Sequence, residues 1–398
     1  MQNVDRIDKI FFDIFLIDIF FLPLFPFFSV SMSLPFLIYW FYKRGNRVHS
    51  QREYRYFPII VVIMCLSTLI STFYPVETAY QTTFFTSFKR LLQYITSFWY
   101  FFFFKYYFDR YRVSINKVFF YALVYMALLA LFYFLDRGGY ADLKIILNPA
   151  DNHTRRVLAN EMIYRFNFLW VDPNNVAYAT GAIFLTYISE EKHNLFFKVC
   201  LLFCTLFILF CTMSIGGMSI TIASFMILLL LSKKTSKIRV SDFRSLIITM
   251  LVVIAVLIYV TPIIAEFLNS DIIDGLTSRI DYYESSDMSG GRKGDFLVSL
   301  SHLNPIFLFA GCGIEGFVSE IGHIYVLFMY GLPVYIYFIY VFFCPKKNIK
   351  WKRILPLLPM FVGFTMNIAI IEQKFLLILL VISAYLSIPS TFDTKTFK

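Results

Sequence analysis

The sequence predicts an all-α polytopic integral membrane protein, with about 11–12 transmembrane helices and two long outward-facing loops. Three observations predict this class. Of the 398 residues, 59% are hydrophobic and only 16% are charged, against roughly 45–50% and about 25% in soluble domains. So much apolar surface, at a mean hydropathy of +0.67, cannot be buried in one aqueous core. Apolar runs long enough to cross a bilayer, about 17–25 residues, recur along the chain. The loops between them alternate, one set short and basic, the other acidic or mixed.

Residues 10–42 are apolar but contain Asp13, Asp18, Pro23, Pro26 and Pro35. They read as a hairpin turning near Pro26-Phe27-Phe28-Ser29, or as one tilted span, and the hairpin is preferred. A basic loop follows, with Lys43, Arg44, Arg47, Arg52 and Arg55. Spans are expected over 57–74, 87–107, 118–134, 175–190, 196–213, 218–232, 245–264, 322–344, 354–371 and 375–389. Every second loop is basic: Lys105, Arg110, Arg112 and Lys117; Lys192 and Lys198; Lys233, Lys234, Lys237, Arg239 and Arg244; Lys346, Lys347, Lys350, Lys352 and Arg353. Positive segments resist translocation, so these loops are expected in the cytoplasm together with both termini. The loops 75–82, 135–174, 214–217, 265–321 and 372–374 then face outwards. The net charge of +10 is accounted for by this topology, and no nucleic-acid partner is needed. The N-terminus lacks a small-residue cleavage site, so no removable signal peptide is expected. The whole chain, 1–398, is read as a single polytopic transmembrane domain.

The spans hold few ionisable residues and no internal repeat is visible, which argues against an ion-coupled pump or an inverted-repeat transporter. Lys89 and Arg90 lie at the outer end of a span. They either snorkel to the interface or contact a lipid phosphate, and on the second reading they bind substrate. The cysteines never form CxxC, so neither a zinc site nor a disulfide framework is implied. Cys65, Cys200, Cys204, Cys211 and Cys344 sit in apolar runs, where packing accounts for them. Cys312 alone is expected to be accessible.

Two outer loops hold residues suited to chemistry. Loop 135–174 closes with Arg165 among apolar neighbours, then Asp172-Pro173-Asn174-Asn175. Asp-Pro-Asn-Asn is a turn or helix-start signal. Arg165 stands where the positive-inside rule gives no reason for a cation. Loop 265–321 carries Arg279 and the run Gly290-Gly291-Arg292-Lys293-Gly294. Glycine lets backbone N–H groups approach a ligand, and arginine offers a planar fork to phosphate oxygens. A flexible surface turn also accounts for this run. The loop ends in Pro305–Phe317, which is apolar with three glycines and reads as a re-entrant or interfacial segment. His323 then opens a span, ahead of Gly331-Leu332-Pro333.

Taken in order, these features resemble the Wzy-type O-antigen polymerases and the O-antigen ligases, a superfamily of bacterial envelope glycosyltransferases. The features are Arg165 with Asp172-Pro173-Asn174, Arg279, Gly291-Arg292, Gly311-Cys312-Gly313, and His323 with Gly331 behind it. The chain departs from the superfamily pattern at Ile324, after the histidine, and at Ser214-Ile215. The resemblance implies a GT-C-like architecture in the bacterial cytoplasmic (inner) membrane, with the active loops facing the periplasm. It implies polymerisation of undecaprenyl-diphosphate-linked oligosaccharide repeat units into O-antigen or a related polysaccharide. Transfer of glycan to lipid A core by a ligase, or transport of lipid-linked oligosaccharide, are the alternatives. Membrane lipids and a polysaccharide chain-length regulator are the implied partners.

By the same resemblance His323, Arg165, Arg292 and Arg279 are catalytic, while Asn174, Gly291 and Lys293 bind substrate. Diphosphate is already a good leaving group, so the protein must mainly position two lipid-linked partners and stabilise developing negative charge. Arginines can do this without changing protonation. His323 is either the general base toward the acceptor hydroxyl or a charge stabiliser. No Asp-x-Asp pair or metal-ligand set stands out, so the expected chemistry uses neither metal nor other cofactor.

Overall fold

The computed structural model describes residues 5–25, 29–73, 84–148, 155, 164–190, 195–232, 294, 297, 305–313, 321–343, 354–366 and 372–387. Among these residues the regular structure is helical, apart from one antiparallel bridge between Phe25 and Val30. The first helices are α1 (Arg6–Phe21), α2 (Leu34–Arg44), α3 (Arg52–Phe73), α4 (Phe84–Tyr111) and α5 (Asn116–Leu135). Then come α6 (Arg137–Leu147), α7 (Pro173–Glu190), α8 (Leu195–Cys211) and α9 (Ile215–Ser232). The last are α10 (Pro305–Ala310), α11 (Gly322–Phe343), α12 (Leu358–Met366) and α13 (Gln373–Leu386).

By length and composition three of these helices could cross a membrane: α3, α5 and, counted across a break at Gly331, α11. Helix α5 shows why. Phe119, Ala122, Met126, Ala130 and Tyr133 are buried on its inner face. Tyr121, Val124, Leu128, Leu131 and Leu135 form an exposed stripe on the outer face. That outer stripe repeats every three to four residues and carries no charge, so the helix is apolar all round, as a lipid-facing helix must be. Helices α8, α9 and α13 are apolar but shorter. Helix α13, at 14 residues, reaches about 21 Å, less than the roughly 30 Å of hydrocarbon.

The interior is built around α13 and α7. Every residue of α13 is buried, as is nearly all of α7. Helix α13 lies along α4, while α5, α8, α9 and α12 pack around α7. Aromatic side chains fill the interior: Phe12 stacks on Tyr107 at 3.9 Å, and Phe15 meets Phe103 edge-on at 4.7 Å. Such rings bury large areas and gain a further ~0.5–1.5 kcal/mol per well-oriented pair.

Among the described residues of 10–42 the chain forms a helical hairpin, although neither helix is long and apolar enough to cross a membrane. Helices α1 and α2 run antiparallel, with Trp40 Nε1 donating to Asp8 at one end and Ser33 N to Asp18 at the other. Polar groups collect at the two ends of the bundle. At one end Asp8 accepts from Trp40, Arg44, Arg47 and Tyr111, and Lys105 pairs with Glu53. Lys105 is thus a buried partner inside α4, not part of a solvated basic loop. The other end gathers residues 29–33, 93–97, 133–140, 164–175, 211–214 and 372–374 through the bonds described below.

Three further sequence expectations need correction. Loop 135–174 begins with a helix, α6. Asp136 caps it by accepting from Gly139 N, and Tyr140, Ala141 and Lys144 bury one face. The Gly138-Gly139 pair hides that helix in the sequence. Residues 372–374 are not a solvated loop: Glu372 is the N-cap of α13, and Gln373 and Lys374 form its buried first turn. Cys312 is buried while Cys200 and Cys204 are exposed, the reverse of the expected accessibility. Cys312 is covered because its segment packs on α11, whereas Cys200 and Cys204 share the outward face of α8. The expected span 245–264 lies outside the described residues.

Candidate functional site

The segment Tyr164–Asn175 is threaded between buried aromatic anchors. Phe166, Phe168, Leu169 and Trp170 are buried. The backbone is pinned on both sides: Tyr133 donates to Tyr164 O at 2.6 Å, Phe166 N to Cys211 O at 3.0 Å, and Tyr140 to Phe168 O at 2.7 Å. Tyr164 and Phe166 point into the core, so Arg165 between them points away and is half-buried. Its Nε donates to Thr212 O at 2.8 Å and its Nη2 to Asn174 Oδ1 at 3.0 Å. The fork of the guanidinium is thereby oriented by the end of α8 and the start of α7.

Asp172-Pro173-Asn174-Asn175 is a helix start, as the sequence suggests. Asp172 Oδ1 accepts from Asn174 N at 2.7 Å, and Pro173 occupies the first helical position, where its missing N–H costs nothing. Asn175 turns inward. Its Nδ2 donates to Glu372 Oε2 at 2.8 Å, and Val171 N donates to Glu372 Oε1 at 2.7 Å. Burial pushes the Glu372 carboxyl up to about 7, against the lowering effect of these donors.

The next two residues hold the rest of this end together. Gln373 accepts from Ser31 N at 2.8 Å and donates to Thr96 at 3.1 Å. Lys374 donates to both the carbonyl and the carboxylate of Asp18, the latter at 2.8 Å. Asp18 also accepts from Ser33 N at 2.6 Å and from Ser31 Oγ. Both members of this ion pair are almost completely buried. Arg90 donates to Gln93 at 2.7 Å, and Gln93 donates to Ser29 O at 2.9 Å. Arg90 is thus tied into the same end of the bundle. Lys89 is half-buried one residue away.

His323 sits in the first turn of α11, beside α12. Its Nε2 lies 3.3 Å from Phe361 O, and the Tyr335 hydroxyl lies 3.3 Å from Nδ1. A carbonyl only accepts, so Nε2 carries the proton and Nδ1 accepts from Tyr335. Phe361 and Phe364 pack against the ring. His323 makes no hydrogen bond to Arg165 or Asn174; α12 packs on both α11 and α7.

Helix α11 breaks at Gly331, whose φ of 82° and ψ of 171° leave the helical region. The break strands the carbonyls of Phe328 and Met329, because Pro333 has no N–H to offer the latter. The segment Gly311–Gly313 supplies the missing donors: Cys312 N to Phe328 O at 2.6 Å and Gly313 N to Met329 O at 2.9 Å. Ser67 of α3 closes on Ala310 O. A side chain at Gly331 would strike Phe309 O, and one at Gly313 would strike the Ser67 carbonyl. Within the described residues, this apolar Gly-rich stretch is therefore a short helix, Pro305–Ala310, followed by the Gly311–Gly313 strap, with both glycines at positive φ, laid against a broken helix.

Of the residues singled out in the sequence, Arg165 and Asn174 are in direct contact, Arg90 joins the same end through Gln93, and His323 stands apart. Arg279, Arg292, Gly291 and Lys293 lie outside the described residues. Glu372, Gln373 and Lys374 are not legible as a buried cluster in the sequence, because three polar residues between apolar runs look like a short loop. In the sequence Asp18 reads only as a charge inside an apolar run. Comparison with protein-family models, curated proteins and solved structures finds no match to this chain.

Proposed function

We propose that this protein is a glycosyltransferase of the bacterial cytoplasmic membrane. On this reading it polymerises undecaprenyl-diphosphate-linked repeat units at the outer face. The observation that carries the reading is Arg165: a half-buried guanidinium, pre-aimed by Thr212 and Asn174, at one end of an apolar bundle. Such a group suits a lipid diphosphate, which must stay at that depth while its glycan remains in water.

In the proposed reaction the acceptor sugar hydroxyl attacks the anomeric carbon of the donor glycan. A C–O bond forms there as the bond from that carbon to the diphosphate oxygen breaks. Undecaprenyl diphosphate leaves with the electron pair. The acceptor proton passes through the Tyr335 hydroxyl to Nδ1 of His323, whose Nε2–H stays on Phe361 O. Arg165, with Arg279 and Arg292 of the 265–321 loop, offsets the charge developing on the diphosphate. Asn174, Gly291, Lys293, Lys89 and Arg90 bind the substrate, the last two at the phosphate level. A chain-length regulator is the expected protein partner.

The test is the surface-glycan ladder of cells carrying His323→Ala, Arg165→Ala or a deletion, with protein in the membrane measured alongside. Collapse to single repeat units on a finished core supports polymerisation. Loss of all repeat units from the core points instead to a ligase or a flippase. An unchanged ladder in the deletion sinks the reading.

A further inference from the structure

Glu372 is a carboxylate removed from water, and such a group is expensive unless its lone pairs are filled. Both of its oxygens accept from one short stretch. Val171 N donates to one oxygen; Asn175 Nδ2 and, at 3.4 Å, Asp172 N donate to the other. This stretch also contains Asn174, which receives Arg165. On its other side the turn that holds Glu372 cannot drift. Lys374 is locked to Asp18, and Gln373 to Ser31 and Thr96. A rigid base thus grips residues 171–175 through one carboxylate.

We infer that Glu372 is a positioning residue for Arg165: it fixes residues 171–175, hence Asn174 Oδ1, and hence the direction in which the guanidinium faces its anion. The inference rests on the function proposed above, which makes that anion a lipid diphosphate. Both oxygens of Glu372 accept from residues 171–175, so its role is to orient that stretch. A flexible arginine would have to be ordered during each reaction. One held in advance spends nothing on reorganisation in the transition state.

The experiment exploits the Glu372–Asn175 pair. Glu372→Gln can set an amide NH2 against the Asn175 NH2, and Asn175→Asp sets a carboxylate against a carboxylate. Together they restore a donor facing an acceptor. The ladder is read in cells lacking the chromosomal copy, normalised to protein in the membrane. Each single variant is expected to lower polymer yield about 10-fold or more, and the double variant to recover to within about threefold of wild type. In an Arg165→Lys background, Glu372→Gln is expected to add little, because its effect is exerted through the arginine.

A wild-type ladder from Glu372→Gln at normal protein level overturns the inference. So does a full, additive loss in the Arg165→Lys background, which marks a merely structural clamp. If the single variants fail to reach the membrane, the double variant decides: a double that accumulates normally but stays inactive also overturns it. An unchanged ladder in Arg165→Ala is a different result, because it removes the site itself.

Discussion

The Tyr335 hydroxyl lies 3.3 Å from Nδ1 of His323, 12 positions earlier on the same helix. In a straight α-helix their Cα atoms would be about 18 Å apart, farther than the two side chains can bridge. The break at Gly331 folds the second half of α11 back toward the first, so the irregular backbone creates the pair. If the acceptor proton travels through this pair, Tyr335→Phe lowers polymer yield about 100-fold, in the range of lost general-base catalysis. The ladder from that variant checks it, and wild-type polymer would exclude the relay.

The break itself is predicted to be sensitive. Gly331→Ala places a side chain at positive φ and against Phe309 O. A cost of about 1–3 kcal/mol is expected, read as a lower thermal midpoint of the purified protein in detergent. Gly313→Ala, whose Cβ falls on the Ser67 carbonyl, should behave alike. A neutral outcome at both positions would show that the strap does not pack on α11.

Lys374 and Asp18 form an ion pair nearly free of solvent. Lys374→Met leaves Asp18 buried without its cation and is expected to cost about 3–5 kcal/mol. Asp18→Asn combined with Lys374→Met should cost less than Lys374→Met alone, since no buried charge remains. Thermal unfolding of the three proteins tests this; a double variant as unstable as the single would refute it.

Glu372 gives stability a particular pH dependence. Its carboxyl is raised by burial from 4.5 to about 7. A raised acid stabilises the folded state most below its unfolded pKa, and that advantage disappears as pH rises through the folded value. Relative to Glu372→Gln, which does not titrate, the wild type should lose stability from about pH 4.5 to about pH 7 and stay level above. Unfolding midpoints of both proteins across that range provide the check, and a constant difference would contradict it.

Cysteine reactivity tests the packing of α8 and the strap. Cys200 and Cys204 are exposed, whereas Cys211 and Cys312 are buried. In detergent, N-ethylmaleimide should modify the first pair well before the second, as peptide mass spectrometry can follow. Faster labelling of Cys312 would mean that the Gly311–Gly313 strap is not packed as described.

The helix positions were largely legible in the sequence, because a long apolar run between polar segments has few other structures open to it. Thus 87–107 and 118–134 anticipate α4 and α5 to within a few residues. The Asp-Pro-Asn-Asn helix start was also legible, since capping is a local interaction. Helix α6 was not, because its two glycines argue locally for a turn, while Asp136 and the packing of Tyr140 decide otherwise. The buried face of α8 is not legible because beyond Lys198 the helix carries no polar stripe to show which cysteines face outward.

By itself, then, the sequence determined that the chain is helical and strongly apolar, where most helices run, and that Arg165 and Asn174 stand at the close of one loop. These follow from composition and from contacts a few residues apart. The tertiary structure alone decided that Glu372 grips Asn175, 197 positions away, and that Lys374 meets Asp18, 356 positions away. It also decided that Gly331 brings Tyr335 to His323. Nothing local sets such pairings. They arise because buried polar groups must find partners wherever the packing of apolar helices leaves them.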